Sequence, residues 1–421
     1  MAELTRRDLL ARAGAVAGAL ALGAADEAES ASDLRSWAGV RAQFALDRDR
    51  FHLASFLLAA HPKPVRDAIG RHRRGLDRNA VEYLHANEER LTGEARAAAG
   101  RYLGVPATEI ALTDSTTMGL GLLYTRLSLA AGDEVLTTEH DFYATHEALR
   151  LSGARIRRVR LYEDPRRASA DEIVGRLRRG VTGRTRVVAV TWVHSSTGVK
   201  LPLRQIAEAL PERVLLCVDG VHGFGVEAAT VRELGCDAFV SGCHKWLYGP
   251  RGTGVLWGNA RVRELLRPTI PSFDDGASYG AWLAGGTPTG RPDGARLTPG
   301  GFHSFEHRWA LVEAFRFHEA IGRLRVQSRI HSLAARLETR LEDVRGVRLR
   351  TPAGAGLSAG LVCFEVGDVH PDEVVRRLAS RRIVASVTPY AQRYVRFGPG
   401  IVNTPSELDT AVRVVAALRA R

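Results

Sequence analysis

The sequence predicts an α/β fold, a mostly parallel sheet clothed by helices, followed by a smaller α+β domain. Three observations carry this. Short apolar runs alternate with helix-periodic runs from residue 110 to residue 257, which is the rhythm of βαβ units. The runs at 187–193 and 214–218 are almost wholly apolar, as expected of parallel strands buried on both faces. Polar residues capable of chemistry fall just after strand-like runs: Ser115, Thr116 and Thr117, then His140, then Ser195, then Asp219 and His222, then His244 and Lys245. In open α/β sheets ligands gather at the carboxyl ends of strands.

Taken in order, 37–58 is mixed, and 51–56 reads as an arm or a strand near an active site. Helices are expected over 62–74 and 94–103, separated by a polar stretch at 77–89. Strands follow at 110–113, 134–137, 156–161, 187–193, 214–218, 238–240 and 255–257, with helices from Met118 and over 170–178 and 201–210. A Gly- and Pro-rich segment, 268–301, is a long loop of the functional or disordered kind. A long helix over 309–344 leads into strand 360–366, helix 371–381, strands 383–387 and 394–397, and helix 405–418. The expected organisation is a signal segment at 1–25, an arm at 26–50, a large domain at 51–305, and a linking helix with a small domain at 306–421.

A chain of 421 residues exceeds one typical core, and 45% apolar with 25% charged residues is ordinary for a soluble globular protein. The net charge of +12 comes from arginines that are scattered, without a finger, a basic zipper or an aromatic-interleaved RNA motif. No nucleic-acid partner is expected. Cys217, Cys236, Cys243 and Cys363 lie in or beside apolar runs without metal-ligand spacing. They read as buried small hydrophobes, and no metal site is expected.

Thr5-Arg6-Arg7-Asp8-Leu9-Leu10 precedes an uncharged run at 13–25 and an acidic, Ser-containing stretch at 26–33. This is the pattern of a twin-arginine export signal with small residues near Ala25; the alternative is an Ala-rich helix that begins the fold, in a cytoplasmic protein. The run is too short for a comfortable transmembrane helix, and no stable membrane insertion is expected.

The chain is organised around residues 236–257. A strand runs into a turn carrying His244 and Lys245 beside Trp246, and Gly249, Pro250, Gly252 and Gly254 then lead into the next strand. A desolvated lysine loses its proton readily and is the natural amine for a Schiff base; the alternative is a surface turn with a snorkelling lysine. Asp219 ends a buried strand, where a carboxylate needs a cation, either a protonated pyridine nitrogen or one of the many arginines. Ser115, Thr116 and Thr117 open a helix that could seat a phosphate or simply be capped by them. Arg396 is a charge in an apolar strand, suited to clamp a carboxylate or to make an internal salt bridge. Together, a lysine amine, a pyridinium partner, a phosphate seat and a carboxylate clamp describe pyridoxal phosphate. A cofactor-free binding protein would have to bury Lys245 and Asp219 without the partner each needs.

The chain resembles class V aminotransferases, fold type I pyridoxal-phosphate enzymes with a seven-stranded-type sheet, in the group with cysteine desulfurases and isopenicillin N epimerase-like proteins. The resemblance rests on Asp-Ser-Thr-Thr-Met-Gly-Leu (114–120), Thr-Thr-Glu-His (137–140), Val-Asp-Gly-Val-His (218–222), His-Lys-Trp-Leu-Tyr-Gly-Pro-Arg-Gly-Thr-Gly (244–254), and Arg396 followed by Asn403-Thr404. It implies that Lys245 forms the Schiff base and shuttles the Cα proton of an amino-acid-like substrate. It also implies that Asp219 pairs with the pyridine nitrogen, that His222 lies near the ring hydroxyl and that His140 stacks on the ring. Thr117, with Ser115 and Thr116, would hold the phosphate together with His244 and Ser241. Arg396 would bind the substrate carboxylate, and the assembly would be a homodimer. Two departures stand out. Relatives carry Gly-Thr where this chain has Pro299-Gly300-Gly301-Phe302, and desulfurases tend to place Asn where it has His194-Ser195-Ser196, so Ser195 takes the ring-hydroxyl position.

Epimerisation, transamination and β-elimination (C–S lyase chemistry) all start from loss of the Cα proton. Desulfuration also needs a nucleophilic cysteine on a loop before the carboxylate-binding arginine, and 386–395 contains none. Epimerisation or racemisation needs a second acid/base, for which His140, His52 and Tyr390 are candidates.

Overall fold

The computed structural model describes residues 34–418, so the expected export signal lies outside the described residues. Seven strands form the large sheet: β1 (Ile110–Thr113), β2 (Glu134–Thr138), β3 (Arg155–Val159), β4 (Thr185–Thr191), β5 (Leu215–Asp219), β6 (Ala238–Gly242) and β7 (Gly254–Gly258). Their spatial order is β1-β7-β6-β5-β4-β2-β3. Only β7 runs antiparallel to its neighbours, because the short turn after β6 returns the chain directly instead of through a crossover helix. Every residue of β5 and β6 is buried. The edge strand β3 is instead half-exposed, and Arg155, Arg157 and Arg158 blunt it against further pairing.

The small domain has a four-stranded antiparallel sheet, Ser386–Val387, Val395–Phe397, Val362–Val366 and Val347–Leu349 in spatial order. A second core built on Leu337, Phe364, Phe397, Leu408 and Val415 sits between this sheet and its helices. Phe51–His52 pairs in parallel with Ile383–Val384, so the first residues of the expected large domain join the small one instead. No helix among the described residues is long and apolar enough to cross a membrane.

Three expectations need correction. The polar stretch at 77–89 is mostly helical: Asn79 breaks the chain, and its side chain caps a 24-residue helix, Ala80–Leu103, by accepting the Glu82 amide. The long helix expected over 309–344 is two, Phe305–Ile321 and Arg323–Glu342, because Gly322 adopts φ 93° between them. The strand expected over 383–387 is two short strands in different sheets.

The break at Gly322 is testable against a glycine that has no such duty. Gly322→Ala forces a side chain into a positive-φ conformation and should cost about 1–2 kcal/mol of unfolding free energy in urea melts. Gly93 lies inside a helix with open space around its Cα. Gly93→Ala should instead stabilise by about 0.5–1 kcal/mol.

Candidate active site

The turn between β6 and β7 is rigid. Cys243 and Gly249 close it, with Cys243 N–H donating to Thr253 O and Gly249 N–H to Cys243 O, both at 2.9 Å. Trp246 and Tyr248 are fully buried in the main core, and Tyr248 takes φ 57°. This is no surface turn: Lys245 is half-buried and directly precedes the buried Trp246. Burial lowers its pKa to about 8, with Arg396 adding to the effect and Asp219 opposing it.

Asp219 ends β5 and is 2% exposed. Its Oδ1 accepts the Val221 amide at 3.0 Å. Burial drives its pKa up to about 7, against the pull of that amide and of Lys245. Among the described residues no arginine forms an ion pair with it, so the internal salt bridge that the sequence left open is not seen there. The tight turn after Asp219 places His222 at φ 65°, where its Nδ1 accepts the Trp246 indole N–H at 3.3 Å. Burial, Lys245 and Arg396 together hold His222 well below its ordinary pKa, so the ring is neutral.

His140 follows β2. Its ring lies on Tyr162 at 3.9 Å between centroids and 11° between planes, and its Nε2 accepts the Leu161 amide at 3.1 Å. Burial lowers its pKa to about 3. The turn that presents it is fixed by Asp141, to which the sequence assigns no role. Asp141 Oδ2 accepts the Thr137 and Thr138 hydroxyls and the Thr138 amide at 2.8–2.9 Å. Its Oδ1 accepts the Thr191 amide at 2.7 Å, joining the ends of β2 and β4. Two threonines placed three and four residues before an aspartate were the available sequence signal.

At the other end of the site, the helix Thr116–Tyr124 starts two residues before the expected Met118. Ser115 caps it, its Oγ accepting the Met118 amide at 3.1 Å, and Thr116 Oγ1 accepts the Gly242 amide at 2.7 Å. Thr117 in the first turn is exposed, beside amides that have no partner within the helix. A Cβ on Gly242 would come within 2.9 Å of the His244 ring and 3.2 Å of Thr116 Oγ1. A Cβ on Gly254 would come within 2.7 Å of Thr113 Oγ1. These glycines let two strand ends and a helix start converge. His244 is half-buried, and Ser241 turns its hydroxyl to the Gly242 carbonyl at 3.2 Å.

Arg396, 2% exposed, reaches the site from the small domain. Its Nε donates to Ser386 Oγ and its Nη1 to the Ser195 carbonyl, both at 3.0 Å, and the guanidinium lies 4.7 Å over the Phe56 ring. No carboxylate of the described chain pairs with it. Ser195 Oγ is hydrogen-bonded to Tyr390 Oη at 2.8 Å. The structure thus brings together Lys245, Asp219, His222, Arg396 and Ser195, with His140 and the 115–117 helix start on the neighbouring strand ends.

A family model for class-V aminotransferases matches residues 59–388. The chain belongs to that family. Among relatives of this class-V chain are isopenicillin N epimerase of Amycolatopsis lactamdurans, 29% identical over 79% of this chain and 85% of the relative, and a probable cysteine desulfurase of Vibrio cholerae, 23% identical over 87% and 92%. Among solved structures, a C-DES variant with glycine covalently linked to its PLP cofactor aligns with a TM-score of 0.80 at 22% identity, covering 89% of this chain and 98% of that one. The Escherichia coli cysteine desulfurase CsdA aligns with a TM-score of 0.74 at 23% identity, covering 90% and 97%. The class-V family is one of pyridoxal-phosphate enzymes, and the residues here fit that cofactor. An amine, a carboxylate and a guanidinium are buried without protein counter-ions beside a glycine-lined cradle at a helix start.

Asp219 gives this fit a pH signature. Its folded pKa lies above the unfolded value of 3.8, so the folded protein holds a proton that the unfolded chain releases. The resulting penalty is absent below about pH 4, grows as pH rises towards 7, and is complete above it. Asp219→Asn should therefore stabilise the cofactor-free protein by about 4 kcal/mol at pH 8 and leave it unchanged near pH 4 in urea melts. The same variant should bind pyridoxal phosphate more weakly at both pH values.

Proposed function

We propose that this class-V enzyme acts at the α-carbon of an amino acid or an amino-acid-derived substrate, by epimerisation or transamination. The observation that carries this is Arg396: a buried guanidinium, held by Ser386 and the Ser195 carbonyl, with no carboxylate of its own and Lys245 and Asp219 nearby. A buried cation in this state has donor capacity aimed at an anion the chain does not supply. When bound, pyridoxal phosphate supplies an electron sink that makes the Cα proton of an attached amino acid acidic.

The chain's residues divide the remaining work. Lys245 Nζ, largely free amine above pH 8, would hold the cofactor at its aldehyde carbon and is the group that would take or return the Cα proton. Asp219 would pair with the pyridine nitrogen and gain the cation it lacks. His222, neutral and with its Nδ1 occupied by Trp246, and Ser195 would serve the ring hydroxyl. His140, itself packed on Tyr162, would stack on the ring. Thr116, Thr117 and His244 would hold the phosphate at the helix start, with Ser115 fixing that start and Ser241 supporting the strand end.

Desulfuration has no nucleophile here. All four cysteines are buried and Cys363, which pairs with Arg396 across two strands, has its thiol pushed up to about 12. β-Elimination, the chemistry of the cystine C–S lyase C-DES, needs no thiol and is the second reading. A homodimer is also part of the proposal. It is supported by the exposed Phe273, Tyr279, Trp282 and Phe302 of the 268–302 segment, an apolar surface suited to a partner. Export by the twin-arginine segment is proposed from its sequence alone.

The amine assignment predicts how the cofactor is captured. Cofactor-free protein mixed with pyridoxal phosphate should develop visible absorbance at a rate that rises with pH and levels off near pH 8, not near 10. Borohydride should bleach the colour and leave the reduced cofactor on the peptide containing Lys245. A protein that stays colourless would refute the reading. Arg396→Ala should raise KM for the amino substrate about 10–100-fold while lowering kcat less, as expected for loss of charge-assisted hydrogen bonds worth about 1.5–3 kcal/mol. Proton NMR in D2O across amino acids separates Cα exchange from loss of the amino group or of a β-substituent.

A further inference from the structure

We propose that Tyr390 is the second proton carrier of this site, delivering a proton to the face of the substrate Cα opposite Lys245, with Ser195 Oγ positioning its hydroxyl. The inference rests on the α-carbon chemistry proposed above and narrows it to inversion at that carbon.

Lys245 comes from the turn of the large sheet, whereas Tyr390 comes from the small-domain loop between Ser386–Val387 and Val395–Phe397. That loop is pinned at three points. Tyr390 Oη meets Ser195 Oγ at 2.8 Å, the Tyr390 ring packs edge-on against Phe142 with centroids 5.8 Å apart, and the Tyr394 amide donates to Thr388 Oγ1 at 2.9 Å. Ser195 uses its carbonyl for Arg396 and its hydroxyl for Tyr390, so one residue holds the carboxylate clamp and the phenol side by side. Phe142 lies two residues beyond His140. Tyr390 therefore bridges the ring-stacking histidine and the clamp, and the α-carbon of an amino acid clamped by Arg396 lies one bond from the carboxylate held there.

The other candidates are otherwise engaged. His52 directs Nε2 to the Asp47 carbonyl at 2.9 Å, on the strand that pairs with Ile383–Val384. His140 has Nε2 on the Leu161 amide and its ring against Tyr162. His194 is fully buried, with Nδ1 on Tyr162 Oη at 2.8 Å.

The step balances without another reagent. The Cα–H bond breaks with its proton passing to Lys245 Nζ and its electron pair remaining on carbon, delocalised into the cofactor. The Tyr390 Oη–H bond then breaks, and its proton forms the new Cα–H bond with that pair. Lys245 is left as ammonium and Tyr390 as phenolate in the field of Arg396, and proton exchange with water restores both.

The test uses holoenzyme in D2O with the twenty common amino acids and their antipodes, followed by Cα proton NMR and chiral analysis. Wild type should both exchange and invert its best substrate. Tyr390→Phe should keep Lys245-dependent exchange with retention while inversion falls at least 100-fold, and Ser195→Ala should show a smaller loss of the same kind. Cofactor affinity by absorbance titration should be unchanged in Tyr390→Phe, which a merely structural role would not permit, while Tm of the cofactor-free protein falls by only a few degrees for the lost Ser195 hydrogen bond. Exchange without inversion in wild type, normal inversion in Tyr390→Phe, or a loss of cofactor affinity matching the loss of inversion would each overturn the assignment while leaving the α-carbon reading in place. Absence of exchange in wild type with every amino acid would instead remove the α-carbon reading, and this assignment with it.

Discussion

The structure depends on keeping three ionisable side chains desolvated and without protein counter-ions. Lys245 feels both Asp219 and Arg396, and Asp219 feels Lys245, yet none of the three forms an ion pair among the described residues. Each is unfavourable alone, because burying an uncompensated charge costs several kcal/mol. A fold retains such a cost where ligands repay it, and a cofactor with an aldehyde and a basic ring nitrogen, together with the carboxylate of its amino-acid substrate, answers all three. The surrounding chemistry follows from that. The lysine stays partly neutral and nucleophilic, the aspartate is ready to accept a cation, and the arginine keeps its preorganised donors.

Holding that arrangement needs a stiff frame, and the frame is made of strand ends tied to each other. Asp141 links β2 to β4, Thr116 links a helix start to the end of β6, and Ser195 links the end of β4 to the small domain. An aromatic path runs beneath: Arg396 over Phe56, Phe56 stacked on Trp246, and Trp246 hydrogen-bonded to His222. The small domain is thus coupled to the cofactor end through packed rings as well as through the chain.

The sheet was legible because its strands are apolar runs that stop abruptly at polar residues, and the same abruptness marked Ser115, His140, Asp219 and Lys245. What stayed hidden depends on geometry that periodicity does not carry. The helix Ala80–Leu103 is interrupted by the polar run His85 to Arg90, and its buried face, Leu91, Ala95, Ala98 and Tyr102, appears only later. Gly322 looks like any glycine tolerated in a helix until its φ is known. Asp141 acts through a strand fifty residues away. The sequence left Asp219 and Arg396 undecided between salt bridge and ligand, and only the absence of an ion pair to either among the described residues separates the two.

The four thiols have a consequence outside the active site. Each is buried and has its pKa raised by burial, so the reactive thiolate is scarce in the native state. Cys217 and Cys243 sit in or beside central strands of the large sheet, Cys236 beside β6, and Cys363 in the small sheet. Alkylating reagents therefore meet these sulfurs only when the protein opens, and the cysteine that reacts first records which layer opened. The chain carries its own footprinting probes for unfolding, one set in each domain, and it can pass through an oxidising environment without exchanging disulfides until it begins to come apart.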